Sequence, residues 1–161
     1  MKSTIDTRDE GVIRSRFKDT SEPCLPIKSD TDVFIEVTKQ IAGGLSPKWI
    51  LVDEAQFLDP KQVDQLARVV DVFSINVMCF GLRTDFQTHL FPGSKRLFEI
   101  ADSLEEIKST CDCGERNSVN ARIDKNGHIV TEGAQVEVGA EDKYISLCRK
   151  CYNQRIAQQN K

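Results

Sequence analysis

WILVDEAQF, Trp49 to Phe57, is the stretch that decides the fold. An unbroken apolar run, Trp49 to Val52, leads straight into two adjacent carboxylates, Asp53 and Glu54. A short run of this kind, apolar on every residue, reads as a parallel strand covered on both faces. Ligands gather outside the carboxyl ends of such strands, where one acid can hold magnesium through water and its neighbour can take a proton. An Asp-Glu pair after an apolar run is also the ordinary look of a solvated strand end, and no GxxxxGK[ST] phosphate loop precedes it. Both readings stay open on these residues alone.

Working outward, Val33, Phe34, Val37 and Ile41 fall on one face of a helix beginning near Asp30, with Gly43 and Gly44 as its stop. The strand then spans Lys48 to Asp53. Asp59 caps a second helix with Pro60 in first position, and Val63, Leu66, Ala67, Val70 and Phe73 share its buried face. INVMCFG, from Ile75, reads as a second buried strand. Strand, helix, strand in this order is a βαβ unit, which implies a parallel sheet. After the loop LRTDFQTHLFPGS a further helix is expected to bury Leu97, Phe98, Ala101 and Leu104. Residues 1 to 29 read as irregular. From Cys111 the chain alternates strand-like pieces with turns, and KNGH at 125 to 128 is a two-residue hairpin signal. These changes predict an α/β domain over 1–110 and a smaller subdomain over 111–161.

The composition fits that division. A chain of 161 residues with 39% hydrophobic and 29% charged residues can bury a core, and its formal charge of −3 gives no support for nucleic-acid or membrane partners. No apolar run is long enough to span a bilayer and the first residues lack a secretory signal, so a cytoplasmic, reducing location is expected. Six cysteines in such a compartment suggest metal ligands or core residues. Cys24 and Cys79 read as structural. Cys111 and Cys113 in CDCG and Cys148 and Cys151 in CRKC form two tight pairs, separated by 34 residues, as a structural zinc site requires. The competing reading is free core thiols. Four thiolates would leave no open coordination position, so such a zinc would support structure and not catalysis.

Aromatic and basic residues collect in GLRTDFQTHLF, residues 81 to 91, where Phe86 can stack on a flat ligand or simply cover the core. His89 has no companion at ligand spacing and reads as a surface histidine.

Together, IDTR at 5 to 8, LVDEAQF at 51 to 57, GLRTDF at 81 to 86, the CDCG and CRKC pairs and VEVGAEDKY at 136 to 144 resemble the zinc-containing, tetrameric type of thymidine kinase, in family order and across nearly the whole chain. DEAQ also resembles the acidic box of helicase-type nucleotide hydrolases, a likeness the acidic net charge and the cysteine pairs disfavour. The thymidine kinase resemblance implies a RecA-like, P-loop-type parallel sheet followed by a zinc-binding subdomain whose lasso loop closes over thymidine. It implies transfer of the γ-phosphate of ATP to the 5′-hydroxyl of thymidine in nucleoside salvage, with Mg2+ accompanying ATP, Zn2+ in the structure and a homotetramer as the assembly. Glu54 is then the catalytic base. Asp53 supports the magnesium, Gln56 lines the nucleotide site, and Asp6, Thr7 and Arg8 match a segment on the phosphate side. Phe86 packs against the thymine ring, while Gln135, Val136, Glu137, Val138, Gly139 and Tyr144 match the lasso, whose backbone groups hydrogen-bond the base.

Departures from the family pattern bear on these roles. CxC stands where CxxC is commoner, and Ala140 stands where the lasso often has a second glycine. The family's glycine-rich phosphate loop, with its strand and helix, precedes the position matched by Met1. The expectation is therefore that this chain phosphorylates thymidine poorly or not at all. The alternative is a catalytically inactive, zinc-stabilised module for nucleoside binding or assembly.

Overall fold

The computed structural model describes residues 1–5, 11–14, 19–135 and 143–159. The chain divides into two compact units. The first comprises Met1–Arg83 and Phe91–Asp102, the second Thr84–Leu90 and Ser103–Lys161.

In the first unit residues 1–29, expected to be irregular, hold short strands: β1 (Lys2–Ser3), β2 (Val12–Arg14), β3 (Ser21–Pro23) and β4 (Pro26–Ile27). β1 pairs parallel with β4, and β2 antiparallel with β3. Strands of two or three residues carry no readable alternation; pairing creates them, long-range for β1 with β4 and local for β2 with β3.

Helix α1 spans Val33–Ala42, and Asp32 caps it by accepting the Ile35 N–H. β5 is Trp49–Val52. α2, Pro60–Phe73, begins with a full capping box: Asp59 accepts the Lys61 N–H at 2.9 Å, and Gln62 accepts the Asp59 N–H at 3.1 Å. Gln62 is buried, and its amide also donates to the Lys28 and Thr31 carbonyls at 2.7 and 3.1 Å. The N-terminus of α2 is thereby fixed to the chain leading into α1. Phe34 stacks on Phe73 with centroids 5.5 Å apart, and the Arg68 guanidinium lies 4.0 Å over the Phe34 ring. Val33, Val37, Val63, Leu66 and Val69 form the buried seam, each worth about 1.5–3 kcal/mol in removal from water.

β6, Asn76–Cys79, pairs parallel with β5 in the register Trp49 to Asn76 through Val52 to Cys79. The βαβ unit is thus present. An isolated parallel bridge between Lys2 and Asp53, with the Asp53 N–H donating to the Met1 carbonyl at 3.0 Å, carries β1 alongside the end of β5. The double coverage expected of β5 is not found. Ile50 and Val52 are buried while Trp49 and Leu51 are each 53% exposed, and Met78, opposite Leu51, is exposed on β6. The helices cover one face of the strand pair.

α3, Pro92–Ile100, starts earlier than the apolar pattern suggests, with Pro92 in its first turn. That start turns Gly93, Ser94, Leu97 and Ile100 inward, so Phe98 is exposed and Leu104 lies beyond the helix, also exposed. The expected burial of Phe98 and Leu104 is corrected, and so is that of Ala101, which caps the end of the helix and is exposed.

The second unit holds the antiparallel pair β7 (Val119–Ile123) and β8 (Lys143–Leu147), joined in register from Val119–Leu147 to Ile123–Lys143. Between them the KNGH turn is a three-residue connection and not a two-residue one. Asp124 N–H donates to His128 O at 2.9 Å, and Gly127 sits at φ +82°, the left-handed position such loops need. Helix α4, Arg149–Gln159, begins within CRKC, directly after Cys148, where only strands and turns were expected. Cys111, Val119, Ala121, Ile129, Leu147, Cys148 and Tyr152 form this unit's core.

Candidate functional site

Asp53 and Glu54 stand at the carboxyl end of β5, half-buried. Two hydrogen bonds from the extension of β6 hold the chain there: Phe80 N–H to Val52 O and Ala55 N–H to Phe80 O, both 2.8 Å. Immediately after the strand the backbone turns through Glu54, which adopts φ +52° and ψ +39°. A non-glycine residue in this left-handed region costs of order 1 kcal/mol. The conformation is held by its surroundings. Asp53 Oδ1 accepts the Glu54 N–H at 3.0 Å, and a 3-10 turn, Ala55–Phe57, follows at once.

Gln56 orients the second carboxylate. Its side chain is 1% exposed; Nε2 donates to Glu54 Oε2 at 2.6 Å while Oε1 accepts the Leu82 N–H at 3.1 Å. The amide therefore ties the acidic end of β5 to the chain leaving β6. Two glycines make room for it. A Cβ on Gly81 would approach Gln56 Oε1 to 2.5 Å, and one on Gly93 would meet the Leu58, Ala55 and Gln56 carbonyl oxygens at 2.6, 2.7 and 2.9 Å. Ser94 completes the junction by donating to Leu82 O at 2.6 Å. The left-handed turn and the buried glutamine are invisible to apolar periodicity; the glycines at 81 and 93 are the only trace they leave in the sequence.

Phe86, Gln135 and Tyr144 lie in the second unit. Phe86 is 1% exposed, and the Arg122 guanidinium carbon sits 4.1 Å from its ring centroid. Tyr152 Oη donates to Phe86 O at 3.3 Å. Asp85, also buried, accepts the Gln87 and His89 N–H groups on Oδ1, both at 2.9 Å, and Gln135 Nε2 on Oδ2 at 2.8 Å. Arg122 was not picked out from the sequence, and Asp85 only as one member of the 81–91 cluster, because nothing in a single charged residue distinguishes a buried one from a solvated one. His89 is exposed, as expected of a surface histidine. Tyr144 is 49% exposed and pairs across β7 and β8 with Arg122. Asp6, Thr7 and Arg8, and Val136, Glu137, Val138 and Gly139, lie outside the described residues.

The Sγ atoms of Cys111, Cys113, Cys148 and Cys151 all lie within 4.8 Å of one another. Tetrahedral thiolates about 2.3 Å from one zinc would stand roughly 3.8 Å apart, and Cys113 Sγ is 3.6 Å from Cys148 Sγ. The tight CxC spacing is accommodated by a turn in which Gly114 N–H donates to Cys111 O at 2.8 Å, with Gly114 at φ +87°. On the other side α4 starts beside Cys148, whose Sγ accepts the Cys151 N–H at 3.4 Å. Crowding drives the thiols apart in acidity. Backbone N–H donation, chiefly from Cys113, pushes Cys111 down to about 7, while the neighbouring thiol of Cys113 pushes Cys151 up to about 12. These four soft donors suit a metal ion. Cys24 and Cys79 lie outside the cluster; burial alone raises Cys79 to about 11. No helix among the described residues is long and apolar enough to cross a membrane.

Comparison with known proteins bears on all three groups at once. The family model described as thymidine kinase matches residues 1–152. Among curated relatives, a thymidine kinase of Pasteurella multocida is 44% identical over 156 residues, covering 96% of this chain and 80% of the relative. Those of Zymomonas mobilis and Rhizobium meliloti are 44% and 43% identical, covering 94% of this chain and 78% and 77% of their own lengths. With the acidic strand end and the cysteine cluster both inside the matched span, the chain belongs to the thymidine kinase family.

Proposed function

We propose that this chain acts on thymidine and ATP, transferring the γ-phosphoryl group to the 5′-hydroxyl to give thymidine monophosphate and ADP. The observation that carries the reading is Glu54, a carboxylate turned by a left-handed backbone at the end of a parallel strand and held there by a buried amide. Glu54 takes the hydroxyl proton as O5′ bonds to the γ-phosphorus and the bond to the β-phosphate oxygen breaks. Phosphoryl transfer depends on placement and charge more than on covalent chemistry, so fixing this one oxygen is the protein's main task on the acceptor side. Asp53 offers a hard oxygen ligand of the kind magnesium prefers, and would hold the ion that neutralises the phosphates. Gln56 sets the Glu54 rotamer and lines the nucleotide site; Asp6, Thr7 and Arg8 serve the phosphate side.

On the base side the reading assigns Phe86 to the thymine wall and Gln135 to Gly139, with Tyr144, to the lasso. The cysteine cluster fits zinc by donor type and spacing, and Cys111, Cys113, Cys148 and Cys151 would hold it. The fold in this reading is a RecA-like kinase domain over 1–110 with a zinc and lasso subdomain over 111–161, working in the cytoplasm as a homotetramer. A second reading, a nucleoside-binding module without turnover, is favoured by one observation: Phe86, Gln135, Tyr144 and all four cysteines belong to one unit with its own core.

The test is thymidine-dependent ADP formation by the purified chain, beside thymidine calorimetry without ATP. Glu54→Gln is expected to lower kcat by about a hundredfold or more while thymidine binding persists. Binding without turnover in the unmodified chain would favour the second reading. Absence of both would overturn the assignment.

A further inference from the structure

We propose that Arg122 is a positioning residue of the nucleoside site, fixing Phe86 and the root of the 131–135 segment in the arrangement that receives the base. The inference rests on the reading of Phe86, Gln135 and Tyr144 as nucleoside contacts, and deepens it.

An arginine that is 4% exposed in so small a unit needs compensating interactions. Those it makes with the described residues Phe86 and Ala134 lie at or beside the residues assigned to the base. Its guanidinium covers one face of Phe86 at 4.1 Å, close enough for a cation–π contact. Nη1 donates to Ala134 O at 3.3 Å, one residue before Gln135. Tyr144 stands directly opposite on β8, and opposed residues of an antiparallel pair share a face of the sheet. Arg122 thus joins Phe86 and the Gln135 segment on the face where Tyr144 stands.

The chain passes the guanidinium so closely that a side chain there would have to displace it. A Cβ on Gly133 would lie 2.8 Å from Arg122 Nη2, and Gly133 adopts φ +131°. The same segment is tied a second time, through Gln135 Nε2 to Asp85 Oδ2 at 2.8 Å and Gln87 Nε2 to Thr131 O at 3.0 Å. The loop holding Phe86 and the root of the proposed lasso are therefore joined at several points, and Arg122 contacts both through a single rigid plane. Lysine carries the charge but lacks that plane and its fork of donors.

The experiment compares Arg122→Lys, Gly133→Ala and Phe86→Ala with the unmodified chain, reading KM for thymidine, KM for ATP, kcat, thymidine Kd by calorimetry, zinc content and Tm. Arg122→Lys is expected to raise thymidine KM and Kd about five- to tenfold, leaving ATP KM and zinc content unchanged. Gly133→Ala, which displaces the guanidinium without removing it, is expected to do the same. If Phe86→Ala weakens thymidine and the other two variants do not, this inference falls and the nucleoside reading stands. If none of the three weakens thymidine, that reading falls with it. Equal losses for ATP and thymidine, or loss of zinc and folding in both the Arg122 and Gly133 variants, would show a merely structural role and overturn the proposal.

Discussion

At the scale of single residues, the acidic end of β5 shows where sequence reading reaches and where it stops. The position of Asp53 and Glu54 was legible, because four apolar residues ending in two acids leave little choice about where the strand ends. The mechanism that aims Glu54 was not, because it depends on a left-handed turn and on Gln56, a polar residue whose burial no hydropathy pattern announces. Glycine is the residue through which that arrangement can be tested. At Gly93 an added methyl would meet three backbone carbonyl oxygens at 2.9 Å or less, none of which can rotate away. Gly93→Ala is expected to cost about 1–3 kcal/mol, a fall in Tm of roughly 3–10 °C for a chain of this size, with kcat reduced because the displaced atoms belong to the turn carrying Gln56. At Gly43, where the added Cβ would sit 3.4 Å from its nearest neighbours, alanine should leave Tm within about 2 °C. Equal melting of the two variants would contradict the packing described for Gly93.

At the scale of elements, the helices that were legible are those whose caps and apolar faces agree. Asp59 with Pro60 and α2 are local signals that tertiary structure merely uses, as is the apolar face of α1, whose cap Asp32 was not singled out. α4 was illegible for the opposite reason. In RKCYNQRIAQQ only Tyr152 is buried, and the helix is fixed from outside by Gln159, whose amide accepts the Ile129 N–H at 2.6 Å and donates to Ile129 O at 3.1 Å. β1 and β4 are likewise made by partners distant in sequence. The β7 connection was legible as a turn and misread in length, since Asp124 recruits His128 as well as Asn126, accepting both N–H groups on Oδ1 at 2.8 Å. Those bonds, the His128 N–H foremost, hold the Asp124 carboxyl below its ordinary value of 3.8. A lowered carboxyl stabilises the folded turn fully above the ordinary value, and the contribution fades as pH falls through the lowered one. Amide exchange at Asn126 and His128 should therefore be slow, relative to the intrinsic rate, above about pH 5 and lose protection on acidification. In Asp124→Ala protection should be low throughout; a pH-independent protection in the unmodified chain would refute the role given to this side chain.

At the scale of the whole molecule, the division into two units means that a metal held by the four cysteines acts on one core and not the other. Two of the seven buried residues of the second core, Cys111 and Cys148, are themselves candidate ligands, so losing the ion removes both a crosslink and part of the packing. Metal binding free energy is folding free energy where the site forms only in the folded state. The first unit's core contains no such residue: Ile27, Val33, Val52, Leu58, Val63 and Val69 are buried by α1, α2 and the strand pair. Its aromatic reporter is Trp49, the chain's one tryptophan, while both tyrosines, Tyr144 and Tyr152, lie in the second unit. The purified protein is expected to carry one zinc per chain. On chelation, tyrosine near-ultraviolet dichroism and amide protection over 119–123 and 143–159 should be lost, while α1 and α2 keep their protection. Trp49, already half exposed on the uncovered face of β5, should keep its red-shifted emission through the same titration. Collapse of the α1 and α2 signals together with those of Tyr144 and Tyr152 would show that the two cores fold as one, and survival of both would remove the cysteines from any structural role.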